Sequence, residues 1–300
     1  MRPHRFMFVL KLFGGLSIES DHDVLSGQAA QRHRLALLAL LAVHHPCALS
    51  RDKAIAYLWP ERDADRARNL LNQSVHALRR ALGERAILSS GDYLRFHPDL
   101  VDCDVAAFEG AIAAGNLERA VGLYGGAFLD GFFLSHAREF ERWVDAARER
   151  LEFTYAAALE SLALQAAHGR DSARAVEWWR RLAALRPYDG RIAGRLVEAL
   201  ESAGDRAGAI RHVRVHAALL RADLEMEPDR ALLDRAEQLR SNQCGLQEDA
   251  ERTSGRSGEP ARTAREPGVA ASEPVAGRSI VPGPPTGPRD PIHPHHPHTS

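Results

Sequence analysis

The 300-residue chain has only three cysteines, Cys47, Cys103 and Cys244, far apart and without a Cys-x-x-Cys pair. That usage indicates neither a disulfide framework nor a zinc site, and a reducing cytoplasm is the natural setting for it. No run of about 18 apolar residues occurs, so nothing is expected to span a membrane. The longest candidate, Leu35 to Val43, is better used as a core helix. Met1 to Arg5 followed by Phe-Met-Phe-Val-Leu mimics a signal peptide. Lys11 interrupts that apolar run and no small-x-small cleavage site follows, so a strand is the better reading. Also missing are a GxxxxGK[ST] phosphate loop, an HExxH zinc motif and a GxSxG nucleophile elbow. No enzyme, cofactor or resident metal is therefore expected. There is no room before residue 7 for a phospho-acceptor receiver domain, so regulation by the chain's own phosphorylation is not expected.

A large net charge is missing too, but the total of −1 conceals a division. Residues 1–99 hold 14 Lys and Arg against 10 Asp and Glu, a net of +4, whereas residues 100–240 hold 19 against 23, a net of −4. A basic N-terminal domain beside an acidic one is the polarity expected if only the first meets phosphate. The remainder, residues 241–300, carries 10 of the 16 prolines and is rich in Gly, Ser, Thr and Arg. It cannot bury enough apolar surface to offset ordering entropy and is read as a disordered tail. Its His293-Pro294-His295-His296-Pro297-His298 could hold a metal ion loosely, but a solvated tail is the preferred reading.

What is present is clearest between Asp63 and Leu82. Ala67, Leu71, Val75, Leu78 and Leu82 recur at the steps of one helical stripe. The opposite side carries Asn69, Gln73, His76 and Arg80, with Arg68, Asn72 and Arg79 on one flank. Side-chain amides pair with adenine edges, and arginines bridge guanine or clamp phosphate. An ordinary solvated helix face would show the same polarity, so the neighbouring segments decide. Upstream, an apolar helix pattern runs from Gln28 to His45 and is stopped by Pro46. His44 and His45 close that helix, where a cation suits the dipole. Ser50 is the expected N-cap of a short second helix ending at Pro60, and Asp63 or Asp65 the cap of the third. Downstream, Ile87-Leu88 and Tyr93 to Phe96 flank Ser89-Ser90-Gly91-Asp92 as a hairpin. Phe6 to Ser20, with Gly14-Gly15 in its middle, predicts two short strands. A sheet, three helices and a hairpin make a winged helix whose third helix is poised for a major groove.

At this point the chain resembles a family. Leu10-Lys11-Leu12-Phe13-Gly14, Ser50-Arg51-Asp52-Lys53, Leu58-Trp59-Pro60, Ala67-Arg68-Asn69 and Leu78-Arg79-Arg80-Ala81-Leu82 look like the DNA-binding domain of the Streptomyces antibiotic regulatory proteins. That domain is similar to the output domain of the OmpR/PhoB response regulators. The resemblance covers roughly residues 7–98 in order and spacing. It departs at the wing, where Gly91-Asp92-Tyr93 stands in place of the family's common Gly-Gly-Tyr and sets a negative charge near DNA phosphate.

Residues 100–240 are rich in Ala, Leu and Arg and read as helical, without a convincing strand. A phrase repeats: Gly115 to Val121, Gly169 to Val176, and Gly204 to Ile210. Ala175-Val176 and Ala209-Ile210 lie 34 residues apart, the period of a tetratricopeptide helix pair. Of the adjacent Trp178 and Trp179, one is expected to pack inward and the other to sit at a repeat interface or in solvent. Leu123 to Phe132, Trp178-Trp179 and Leu224 to Pro228 resemble the bacterial transcriptional activator domain, which in that family follows the winged helix directly.

The expected fold class is thus mainly α. An N-terminal winged helix-turn-helix, with a small β-sheet, three helices and a wing, spans residues 1–99. An all-α tetratricopeptide-like domain spans 100–240 and the tail 241–300. The expected function is a sequence-specific DNA-binding transcription regulator, read as an activator. Asn69, Asn72, Gln73 and His76 are the candidates for base contact, and Arg66, Arg68, Arg79, Arg80 and Arg95 for positioning on phosphate. The resemblance implies a loop touching RNA polymerase, which here is Pro60, Glu61, Arg62, Asp63 and Asp65. Self-association or a protein partner is expected through the helical half. Two alternatives remain open: a tetratricopeptide-type scaffold whose winged helix has lost DNA binding, and the sensory front end of a larger machine.

Overall fold

The structure, a computed structural model, describes residues 8–20, 31–97 and 99–241. The expectations for the proline-rich tail, for Cys244 and for the first residues of the opening helix fall outside those residues. Strand β1 (Phe8–Lys11) pairs antiparallel with β2 (Ser17–Ser20), Phe8 opposite Ser20 and Lys11 opposite Ser17. Three helices follow: α1 (Arg32–His44), α2 (Arg51–Leu58) and α3 (Ala64–Leu82). Helix α1 buries every residue from Ala36 to Ala42, as a helix enclosed on all sides must. Ser50 caps α2 through its side chain on the Lys53 N–H, 3.2 Å. Of the two aspartates offered as caps for α3, Asp63 does the capping, on the Arg66 N–H at 2.9 Å. Strands β3 (Leu49–Ser50), β4 (Ile87–Ser90) and β5 (Tyr93–Phe96) form the second sheet, in the order β3-β5-β4. The β4–β5 hairpin turns at Gly91, whose φ of 57° suits glycine.

Past residue 100 the sequence shows no convincing strand, yet Val101–Cys103 is one, β6, running parallel to β1 and completing the order β2-β1-β6. Its three residues are too short for a periodicity to register. A parallel partner far off in sequence leaves no turn signal beside it. The helical half continues directly from it: α4 (Asp104–Ala113), α5 (Leu117–Leu123), α6 (Arg138–His168), α7 (Ser172–Leu185), α8 (Gly190–Ser202) and α9 (Arg206–Leu224), with residues 230–241 also helical. The repeated phrase proves to be a helix-start device. Gly115, Arg170 and Gly204 all take positive φ (71°, 60° and 80°), and Asn116, Asp171 and Asp205 each cap the next helix on the N–H three residues on. The caps Asp171 and Asp205 are themselves 34 residues apart in the sequence.

Both tryptophans of the adjacent pair are buried, Trp178 at 8% and Trp179 at 2% exposure, which excludes the solvent-exposed alternative and leaves the inward and interface positions. Helix α7 packs on α6 on one side and α8 on the other. A helix inside an array has two inner faces, so neighbouring positions are both covered.

The two halves share one core. The Asp104 carboxylate, at the start of α4, accepts the N–H groups of Leu12 (2.9 Å), Phe13 (3.0 Å) and its own neighbour Val105 (2.8 Å). Gly14 donates to the Ala127 carbonyl and Leu129 to that of Leu12. Gly14 and Gly126 meet so closely that a Cβ on Gly126 would stand 3.0 Å from the Gly14 Cα. On the other flank Trp143 of α6 touches His44 and Tyr57 of the winged helix, ring centroids at 6.5 and 6.1 Å. His44 does not serve as a cationic helix end: burial pushes its pKa down, so the ring is neutral at pH 7.

Two predictions come from this seam. Replacing Asp104 by Ala strands three backbone donors and should cost about 3 kcal/mol, read as a lower urea midpoint in one joint transition for both halves. Two independent transitions would show the halves not to be coupled there. The second concerns acid. His33, His44 and His212 all have pKa values lowered by burial, while the unfolded chain takes up these protons near its ordinary histidine pKa. Stability should therefore be complete above about pH 6.5 and fall as pH drops through the lowered folded values. Urea midpoints at pH 7.5 and 5.5 measure the fall, and His44→Gln should reduce it.

Candidate nucleic-acid interface

Helix α3 buries Ala67, Leu71, Val75, Leu78 and Leu82, the whole expected stripe, and Ser74 as well. Ser74 escapes notice as a core residue because its hydroxyl is satisfied inside the helix, on the Leu70 carbonyl at 2.8 Å. Asn69, Asn72, Gln73, His76, Arg66, Arg68 and Arg80 are all exposed, as is Arg95 on β5. The stripe is not uniform, however.

One flank is knitted to the wing. Arg79 donates from Nε to the Ile87 carbonyl (3.0 Å) and from Nη2 to Ser89 Oγ (2.8 Å), so it anchors the hairpin to α3 and is only half-exposed. Arg51, in the first turn of α2, donates through Nη1 to Asn72 Oδ1 (2.8 Å) and reaches Ser89 Oγ with Nη2 (3.5 Å). Its backbone N–H donates to the Asp92 carbonyl at 2.8 Å. The Arg51–Asn72–Ser89–Arg79 network thus fixes the wing relative to α3. Arg51 is the polar residue that the helical stripe could not reveal, since it comes from a different helix. Its first-turn position after the Ser50 cap is the only sequence cue.

The other flank faces a cleft of 480 Å³. Leu70 and Gln73 of α3 line it together with His33 and Trp59, whose rings stack at 5.4 Å, Arg62, and His136 from the helical half. Asn69, His76 and Arg80 lie between the two flanks, and none has a side-chain contact among those described. Arg68 pairs with Asp65 at 3.3 Å in the open, an interaction too solvated to hold it rigidly. The segment between α2 and α3 is exposed from Pro60 to Asp63, and Glu61 approaches His136 at 4.0 Å. Asp65, expected in that loop, lies inside α3 in its first turn, because Asp63 starts the helix.

The α3 face, the hairpin beside it and the helical half behind it can now be compared with known proteins. The bacterial transcriptional activator domain family matches residues 103–240. A solved structure of Mycobacterium tuberculosis EmbR in complex with a low-affinity phosphopeptide is similar in fold, with a TM-score of 0.54 at 22% identity. The match covers 79% of this chain and 66% of that one, so this chain spans just under two thirds of its length. No curated protein matches. The matched segment follows directly on the winged helix and its sheet, the order in which the two halves of this chain are arranged. No described helix is long and apolar enough to cross a membrane.

Arg79→Ala removes both bonds that tie the hairpin to α3. It should cost about 1–2 kcal/mol and speed amide hydrogen exchange across Ile87–Phe96 while leaving the activator domain's helices unchanged. Unaltered exchange in the hairpin would mean that the strands hold the wing without Arg79.

Proposed function

We propose that this regulator is a sequence-specific DNA-binding transcription activator, with residues 1–99 reading DNA and residues 100–240 making protein contacts. The observation that carries the reading is the exposed face of α3, where Asn69, Gln73, His76 and Arg80 stand free beside a hairpin fixed by Arg79. Amides and an imidazole on a braced helix suit base edges in a major groove, and the +4 charge of residues 1–99 suits a phosphate backbone. Asn72 takes a second role here. Its Oδ1 accepts from Arg51, and its NH2 group is left as a donor for a base or phosphate oxygen. Arg66, Arg68, Arg80 and Arg95 are the phosphate-positioning set, with Arg51 added to it. The Pro60–Asp63 loop, open to solvent between α2 and α3, is the surface offered to RNA polymerase, and the activator domain the surface for self-association or a protein partner. A modest basic charge gains from a second copy on adjacent half-sites, which multiplies effective affinity. The reaction compartment is the cytoplasm, where the DNA is.

Titrations with two DNA sequences at two salt concentrations test this. Asn69→Ala and Gln73→Ala should each cost on the order of 1–3 kcal/mol on the preferred sequence and spare non-specific binding. Arg80→Ala should weaken all sequences alike and reduce the salt slope by about one. Equal losses on both sequences for Asn69→Ala and Gln73→Ala would remove the base-reading role from α3.

A further inference from the structure

Helix α9 carries two histidines, His212 and His216, one turn apart and hence on one face. His216 is 2% exposed, the only buried side chain besides Ser74 that is polar among the described residues. Its Nδ1 lies 2.9 Å from the carbonyl oxygen of Pro187, in the turn between α7 and α8. A carbonyl only accepts, so Nδ1 carries the hydrogen, and Nε2 is the nitrogen left to serve as a ligand. That Nε2 is buried with no hydrogen-bond partner among the described residues, and so is Nε2 of His212. Both rings border a cavity of 260 Å³ walled by Ala183, Pro187, Leu196 and Leu219. Two adjacent buried nitrogen atoms without partners are costly to leave unmatched.

We propose that His212 and His216 form a binding site for a borderline divalent transition-metal ion of the zinc, nickel or copper class. The i, i+4 spacing on a helix is the one by which paired histidines meet a common ion. The Pro187 carbonyl does what the outer shell of a metal histidine does: it holds the Nδ1–H tautomer and aims Nε2. The ring centroids are 6.5 Å apart and inclined by 27°, so the rings must turn toward each other into the cavity before both nitrogens reach the roughly 2.1 Å a zinc ion needs. Among the described residues no cluster of three or more His, Cys, Asp and Glu side chains occurs, so water or a donor from a partner completes the coordination. One positive group faces the site. Arg180 of α7 borders the cavity, but its guanidinium is paired with Asp205 at 3.5 Å, which offsets much of its charge. Burial, the neighbouring His216 and Arg180 together lower the His212 pKa, so its lone pair is available at pH 7. Occupancy would pin α9 to the α7–α8 turn through the Pro187 bond, making the stiffness of the activator domain responsive to metal.

The test is calorimetric titration of Zn²⁺ into the full chain in which His293, His295, His296 and His298 are replaced by Ala, so that only sites outside the tail report. One ion per chain should bind and raise Tm. His212→Ala, at a half-buried position, should weaken binding by at least about tenfold, the scale on which even outer-shell changes act. Arg180→Gln, which removes the facing positive charge and leaves both ligands intact, should tighten it. Ni²⁺ should bind at the same stoichiometry and be lost with the same His212→Ala change. Absence of Zn²⁺ binding, affinity unchanged in His212→Ala, or affinity unchanged in Arg180→Gln would each overturn the proposal and leave the two nitrogens to a bridging water.

Discussion

Everything the winged helix offers at its outer surface depends on how its first strand is held, and a single carboxylate does much of the holding. Asp104 opens α4, yet its oxygens accept the Leu12 and Phe13 N–H groups at the end of β1, more than 90 residues away in sequence. Burial pushes the Asp104 pKa up, and the three backbone N–H bonds oppose that shift by favouring the charged form. β6 completes the attachment by lying alongside β1, and the Gly14–Gly126 contact closes it from the far side. The first strand of the winged helix is therefore also a component of the helical half's floor. The helical half meets the winged helix at two places, β1 on one side and, through Trp143, α1 and α2 on the other.

Helix α3 is set by two opposed demands. Its inner stripe must fill the core beneath α1, which accounts for the apolar residues at helical spacing. Its outer face must remain polar yet be presented at a fixed angle. The second demand is met by arginines used as struts. Arg79 and Arg51 spend their donors on Ile87, Ser89 and Asn72, so the wing and α3 move as one piece. Rigid support from a neighbouring shell is what a recognition surface needs to discriminate. The cost is that Arg79 is no longer a free cation. On the opposite flank Gln73 and Leu70 share a cleft with His136, so the helical half also reaches α3.

The helical half solves a different problem with one repeated device. Helices stacked in an array need each chain reversal to end one helix and start the next within a few residues. A left-handed residue followed by an Asn or Asp cap accomplishes both. Arg170 occupies that left-handed position where the next copy has Gly204, a small backbone cost borne at a surface turn. Small alanines at the buried positions then let α6, α7, α8 and α9 pack side by side, and the Pro187 turn is close enough to α9 to bond with His216.

Much of this was legible in the residues. Hydrophobic periodicity marked α3 and its buried stripe, Ser50 and Asp63 announced their helices, and Ser89 to Asp92 announced the hairpin, because all of these are local signals spanning one or two turns. The 34-residue spacing marked the repeat for the same reason. The resemblance located the order of the two halves, and the match over residues 103–240 agrees with it. What stayed hidden is whatever joins residues distant in sequence. Three-residue β6 has no pattern of its own and exists because β1 supplies a partner. Trp178 and Trp179 are both buried because α7 has helices on two sides, which a single-helix reading cannot know. Arg79 became a strut, Arg51 joined the site and Gln73 turned toward a cleft, because each outcome depends on which neighbour the fold brings within 3.5 Å. Sequence alone determined where the main helices of the winged half lie, which of their faces are apolar and that Ser50 caps the second of them. Only the tertiary structure decided which polar side chains are left free for a partner, since hydrogen-bonding capacity is consumed pairwise and the pairs form across the chain.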